Sequence, residues 1–443
     1  MKKIFLLFFP AGAAAALCLW FFDNSTAPFG SFFADKIGLV MAFGRLAGIV
    51  AALGVMGQLL LISRAKWLEP LFGLDRLTRY HHLAGLIIPL ALLAHPPLVV
   101  WHHAMQTGNT FLAQYLTVLR WEDILPAACG EFLIIVAVFL SLPFTRRRLS
   151  YEAWHTAHLG AYLGLALSIG HQLGLGGDMN AEFHYFAWTW YSLLSFTAAN
   201  LLWYRLLRPL WLYKKHRFIV DRTVMESADV MSVYIKGDGL ESFAVEPGQF
   251  ALLRFWAPGF KLQAHPFSFS KAPDGKELRF SIKKLGDFTV KLHAELKPGT
   301  PVVIDGPHGV FTGAKMKTNK ALFVAGGIGI TPLRAIAEKF CAANGDSVLI
   351  FSNRSHRDII FLSELGEKDK GGNCRTVYVL TEDKDWPGEK GRLDAASLLR
   401  LVPDLAERDT FLCGPPPMMA ALRSGLAGLG VPKDQIHYEQ FLL

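Results

Sequence analysis

Charge is scarce in this chain. Only 19% of its 443 residues are Asp, Glu, Lys or Arg, against about a quarter in an ordinary soluble domain. Cysteine is scarcer still. Cys18, Cys129, Cys341, Cys374 and Cys413 form no CxxC or other metal-ligand spacing, and their odd scatter argues against a disulfide framework. Internal repeats and low-complexity tracts are lacking. So are a helix-turn-helix, a zinc finger and a basic aromatic platform, which argues against reading the net charge of +8 as nucleic-acid binding. What is abundant is apolar: 52% of residues are hydrophobic and the mean hydropathy is +0.29, too high for a soluble protein of this length. The apolar residues crowd into the first half, while charge and turn residues dominate after about residue 213.

Six spans fit the first half, roughly 4–22, 37–62, 80–101, 128–144, 154–174 and 186–206, each near the roughly 20 residues that cross a bilayer. The opening Lys2-Lys3 and its apolar run also suit a cleavable signal, but the run exceeds a usual signal core and favours a true helix. Basic residues gather at Lys2 and Lys3, at Arg64, Lys66, Arg76 and Arg79, at Arg146–Arg148, and after the last span. The opposite segments hold only Lys36 and Arg120. This asymmetry predicts a multi-pass protein of the cell (inner) membrane with both termini and the whole second half in the cytoplasm.

Histidines inside such helices are costly and rarely idle. His81 and His95 lie 14 residues apart on the third span, and His158 and His171 lie 13 apart on the fifth. Each pair spans about 20 Å along its helix. The topology matches His81 with His158 in height, and His95 with His171, as two stacked bis-imidazole haems require. Thirteen residues leave ideal helical positions about 140° apart, so the fifth span needs a tightened turn or tilt, which Gly160, Gly164 and Gly170 permit. His82, His155, His102, His103 and His184 are rival ligands. Arg45, about two turns into the second span, either meets a haem propionate or snorkels to the outer interface.

The second half reads differently. Phe218–Val224, Val230–Lys236, Gln249–Phe255, Leu278–Lys283 and Pro301–Ile304 suggest a small antiparallel barrel. Within it stand His265-Pro266-Phe267-Ser268 and then Lys283. Gly286 and Thr289 open a short helix, 290–295, whose free N–H groups and hydroxyl suit a pyrophosphate. A buried strand, 321–325, leads through Gly326-Gly327-Ile328-Gly329-Ile330-Thr331-Pro332 into a helix over 333–340, the context that makes a glycine-rich turn credible for a dinucleotide. Arg354, after the strand 347–351, suits a ribose 2′-phosphate, or is simply exposed. Cys413-Gly414-Pro415 ends a further strand at a nicotinamide position.

The order HPFSFS, GDFT, GGIGITP, SNR and LCGPPPMM resembles the ferredoxin–NADP reductase superfamily. With six spans and paired histidines, the chain resembles the ferric reductase and NADPH oxidase transmembrane family. That resemblance implies a six-helix all-α membrane bundle over 1–212, a flavin-binding antiparallel β-barrel over 213–315 and an α/β nucleotide-binding domain over 316–443. It implies FAD on His265, Pro266, Phe267, Ser268, Lys283, Gly286 and Thr289. NADPH, or NADH, would lie on Gly326, Gly327, Gly329, Thr331, Pro332 and Arg354, with Cys413, Gly414 and Pro415 at the nicotinamide. Two haems b would rest on His81, His95, His158 and His171. It also implies a flavin-stacking aromatic near the end of the chain, for which Phe441 stands, followed here by Leu442 and Leu443. Arg45 matches the second-span arginine of superoxide-forming members, while Val99 stands where they carry a further histidine.

The expected activity is a transmembrane NAD(P)H-dependent oxidoreductase delivering electrons to ferric chelate or O2. Two other readings stand beside it: an electron-feeding subunit for a quinone or periplasmic partner, and a haem sensor with a vestigial soluble half.

Overall fold

The computed structural model describes residues 2–25, 35–174, 179, 185–261, 263–369 and 373–439. It divides into two compact units, Met1–Arg205 and Leu206–Leu443.

The first unit is built on six long helices: α1 (Lys2–Ser25), α2 (Lys36–Ile62), α3 (Leu74–Thr107), α4 (Ile124–Ser141), α5 (Tyr151–Gly174) and α6 (Tyr185–Leu202). By length and composition α2, α3 and α4 are long and apolar enough to cross a membrane. Helix α2 packs along α3, and α4 along α5. Glycines set both contacts. A Cβ on Gly130 would stand 2.4 Å from the Gly164 carbonyl oxygen, and one on Gly164 would stand 2.5 Å from that of Gly130. A Cβ on Gly48 would lie 2.8 Å from His95 Nδ1. Small residues of this kind let apolar helices approach where hydrophobic burial drives nothing. Trp20, Leu53, Phe186, Trp190 and Leu193 close a core among α1, α2 and α6.

The expected tightened turn in the fifth span is not found. Helix α5 is regular throughout, Gly164 serves the crossing with α4, and Gly170 lies against the Asp123 carboxylate.

The second unit opens with α7 (Arg208–His216) and two three-stranded antiparallel sheets. One has the order β1 (Ile219–Met225), β2 (Val230–Lys236), β5 (Leu278–Lys283). The other has β4 (His265–Ser268), β3 (Phe250–Phe255), β6 (Val302–His308). Both line one core that includes Phe218, Phe255, Phe269 and Phe280. The HPFS segment is therefore itself a strand, and α8 (Asp287–Glu295) starts three residues earlier than the sequence suggests.

The remainder is a six-stranded parallel sheet ordered β10-β9-β8-β7-β11-β12. Its strands are β7 (Lys320–Gly326), β8 (Asp346–Asn353), β9 (Cys374–Leu380), β10 (Glu389–Lys390), β11 (Asp409–Cys413) and β12 (Ile436–Glu439). Alternation along β7 feeds two cores. Ala321, Phe323 and Ala325 meet α9 (Ile330–Ala342) and α10 (Leu362–Asp369), whereas Leu322 and Val324 meet α11 (Ala395–Leu401) and α12 (Pro416–Gly428). A sheet covered on both faces is the doubly wound arrangement.

Cys341 and Cys374 form a disulfide with Cα atoms 6.3 Å apart. The odd scatter argues against a disulfide framework, yet it does contain this one bridge, while Cys18, Cys129 and Cys413 are free. The end of α9 and the start of β9 meet in space despite a separation of 33 residues.

Candidate functional site

In the first unit the rings of His81 and His158 are nearly perpendicular with centroids 6.2 Å apart, and those of His95 and His171 are tilted at 5.9 Å. Two imidazoles sharing one metal at about 2 Å per bond have centroids about 6 Å apart, so both separations fit a single ion between the rings. Among the described residues no third His, Cys, Asp or Glu joins either pair. Such pairs suit a metal whose remaining ligands come from a macrocycle.

The second ring nitrogens are set differently. His95 Nδ1 donates to the Gly44 carbonyl at 2.7 Å. His158 Nδ1 lies 3.2 Å from Ser141 Oγ. That hydroxyl donates to the Ala137 carbonyl (2.7 Å) and accepts from Trp154 Nε1 (3.0 Å). With the hydroxyl so engaged, a proton on His158 Nδ1 would leave Nε2 as the ligating nitrogen. The Trp154 ring also stacks on His158 at 5.4 Å. The buried Nδ1 atoms of His81 and His171 have no hydrogen-bond partner among the described residues. Arg45 is half-buried on α2, next to Gly44. His184 and Phe441 lie outside the described residues.

In the barrel, His265 stacks on Phe288 at 3.8 Å. Pro266 is exposed, Phe267 is half-buried, and the buried Ser268 Oγ has no hydrogen-bond partner among the described residues. An orphaned hydroxyl at this point is the observation that fits a missing polar ligand. Lys283 pairs with Asp229 at 3.1 Å. The Thr289 hydroxyl is not free as the sequence suggests. It accepts from the Leu285 and Gly286 amides at 2.9 and 3.1 Å and donates to the Gly286 carbonyl, so it builds the turn that opens α8.

In the parallel sheet, Ala325 of β7 is in register with Cys413 of β11. The Gly326–Pro332 and Cys413–Pro415 turns therefore emerge side by side at the strands' carboxyl ends. Chain order reverses here, the crevice in which such sheets bind ligands. A Cβ on Gly329 would stand 2.2 Å from the Cys413 carbonyl oxygen, while Gly327, at φ +52°, faces open space. Only a glycine turn lets the two loops touch and leaves backbone N–H groups uncovered for phosphate. Thr331 and Pro332 are buried at the start of α9, and Thr331 Oγ1 donates to the Ile328 carbonyl. Arg354 extends into solvent at the end of β8, with Glu382 at 3.9 Å. The buried Asn353 Nδ2 beside it has no partner among the described residues and is a donor that sequence reasoning missed. Burial pushes the Cys413 thiol well up, reinforced by the neighbouring Glu439 carboxylate, so it is a neutral, shape-giving group rather than a nucleophile.

Three family models match this chain: ferric reductase like transmembrane component over 47–169, FAD-binding domain over 216–324, and oxidoreductase NAD-binding domain over 323–424. Their order along the chain, a ferric reductase-like transmembrane component followed by FAD- and NAD-binding domains, matches that of the ferric reductase and NADPH oxidase-like fusions. It is thus an oxidoreductase with an FAD- and NAD(P)-binding module, carried by a membrane protein. The glycine betaine monooxygenase reductase subunit of Pseudomonas aeruginosa is 30% identical over 240 residues, covering 52% of this chain and 65% of the relative. Flavohemoprotein A of Dictyostelium discoideum is 30% identical over 242 residues, covering 51% and 59%. The chain thus spans less than two thirds of these relatives' lengths. Among solved structures, the FAD/NAD-binding domain of nitric oxide dioxygenase from Vibrio cholerae is 26% identical with a TM-score of 0.47, covering 51% of this chain and 97% of that one.

Proposed function

We propose that this ferric reductase-like chain carries electrons from cytosolic NADPH, through FAD and two b-type haems, to ferric chelate or O2 on the far side of the inner membrane. The observation that carries the reading is the pair of histidine couples at 6.2 and 5.9 Å on the same two helices. The charge asymmetry of the loops supports the orientation, with domains over 1–212, 213–315 and 316–443.

In this reading the glycine turns at Gly326–Gly329 and Gly414 offer backbone N–H groups to the nucleotide phosphates. Arg354 clamps the 2′-phosphate, and Ser268 turns its orphaned hydroxyl to the flavin. His81 with His158, and His95 with His171, would hold the two haems through their Nε2 atoms. Bound FAD would take a hydride from the nicotinamide and release electrons singly, as haem iron requires. The protein's own work is placement and tuning, so no acid–base triad is needed.

A second reading has support of its own. Named relatives include a reductase subunit, which favours delivery to a partner protein or quinone. Purified protein given NADPH separates the two. Steady turnover with ferric citrate without oxygen, or superoxide formation with it, supports the first. Rapid haem reduction with negligible turnover on either acceptor supports the second.

A further inference from the structure

Away from the glycine turns, two buried arginines meet one carboxylate. Arg279 on β5 and Arg334 on α9 are each 3% exposed. The Glu364 carboxylate on α10 accepts from Arg279 Nη1 at 2.9 and 3.0 Å and also from Arg334 Nη2. Both guanidiniums lie over the Phe361 ring, that of Arg279 at 4.5 Å from its centroid and that of Arg334 at 4.9 Å. Phe361 has φ +63°, a left-handed conformation costly for a bulky side chain.

The other end of this cluster is informative. Arg334 Nη1 donates to the Ser270 carbonyl, two residues beyond Ser268 with its orphaned hydroxyl. Arg334 itself stands three residues after Thr331, in the first turns of the helix that follows the glycine-rich turn. One guanidinium therefore joins the segment just past the strand that carries the flavin motif to the helix that follows the phosphate motif. A second tie lies alongside, where the Ala272 amide donates to Glu338 Oε2 at 3.1 Å. Ser270 is held from the barrel side as well, its amide donating to the Arg279 carbonyl at 2.8 Å.

We infer that Arg334, held by Glu364, is a positioning residue that fixes the distance between the flavin and the nicotinamide. This rests on the FAD and NAD(P)H reading above. Transfer moves one hydrogen with its electron pair from the dihydronicotinamide to the flavin, and misplacement by about 1 Å costs on the order of a hundredfold. Arg334 touches neither cofactor motif's binding atoms, so its loss disturbs the approach more than either affinity.

The test uses the full-length protein loaded with FAD and the variants Arg334→Met, Arg334→Lys and Glu364→Gln. Methionine keeps the apolar stem against Phe361, and Glu364→Gln offers a second route should the first fail to fold. In Arg334→Met we expect FAD content and NADP+ affinity within about twofold of wild type, since the motifs that hold them are intact. We expect flavin reduction at saturating NADPH to fall about tenfold or more. The difference spectrum that NADP+ induces in oxidised flavin, read without turnover, should weaken in parallel. Arg334→Lys should recover part of both, because an ammonium still reaches one acceptor. A wild-type reduction rate and spectrum in both Arg334→Met and Glu364→Gln overturns the inference. So does a loss confined to FAD content or NADP+ affinity. Failure of the wild type to reduce its flavin with NADPH would instead overturn the functional reading.

Discussion

The hydroxyl of Ser141 lies 3.2 Å from Nδ1 of His158, and the same oxygen accepts from the Trp154 indole at 3.0 Å. His95, on the other helix, reaches a backbone carbonyl at 2.7 Å. The two histidine couples are therefore held by different kinds of acceptor, one mutable and one not. Partners of this sort orient a ligating imidazole and raise its basicity, and losing one typically costs 10–100-fold in metal affinity.

Ser141→Ala should accordingly shift one haem to a more positive potential and loosen it about tenfold or more, leaving the other unmoved. Spectroelectrochemical titration of the purified variant checks this. Two unchanged potentials would mean that the hydroxyl does not act on a ligand.

His95→Leu removes one couple and leaves the second unit intact. Haem should fall to one per chain while NADPH still reduces the flavin at the wild-type rate. Stopped-flow spectra report both, and unchanged electron flow to an external acceptor would exclude His95 from the path.

Much of this was legible from residue order, and what was not has a common cause. Height matching along α3 and α5 needs only the 1.5 Å rise per residue, so the histidine couples follow from spacing and loop charge. The strand–glycine turn–helix at 320–342 is likewise local. Ser141 with Trp154, Arg334 with Glu364, and Cys341 with Cys374 are meetings of segments 13, 30 and 33 residues apart, and no local pattern encodes them. The Thr289 hydroxyl was misread for the opposite reason. Its partners are so near, at Leu285 and Gly286, that the turn consumes the group a ligand was expected to use.

Gly130→Ala tests the helix crossing. Its Cβ would sit 2.4 Å from a backbone oxygen that cannot swing away, so α4 and α5 must part. A destabilisation of about 1–3 kcal/mol is expected, with loss of haem out of proportion to loss of FAD. A variant with full haem content and unchanged melting would show that the crossing tolerates the methyl.

Arg354→Ala should raise the KM for NADPH far more than that for NADH. A charged hydrogen bond is worth about 1.5–3 kcal/mol, or roughly ten- to a hundredfold. Steady-state kinetics with both nucleotides decide it. Equal changes would mean that the exposed guanidinium does not read the 2′-phosphate.

The Cys341–Cys374 bridge closes a loop of 33 residues. Chain-entropy arguments give such a closure about 3–4 kcal/mol, so reduction should lower the melting temperature of the nucleotide-binding half by several degrees. Scanning calorimetry with and without reductant measures it, and identical melting would show that the bridge adds nothing.

In the proposed function two haems ride on four histidines within one chain. Haem and iron content of the purified full-length protein, referred to FAD, tests it most directly. We expect b-type absorbance with two haems per flavin, falling to one in His95→Leu. A preparation replete in FAD that holds one haem or none, after growth with ample haem, contradicts it.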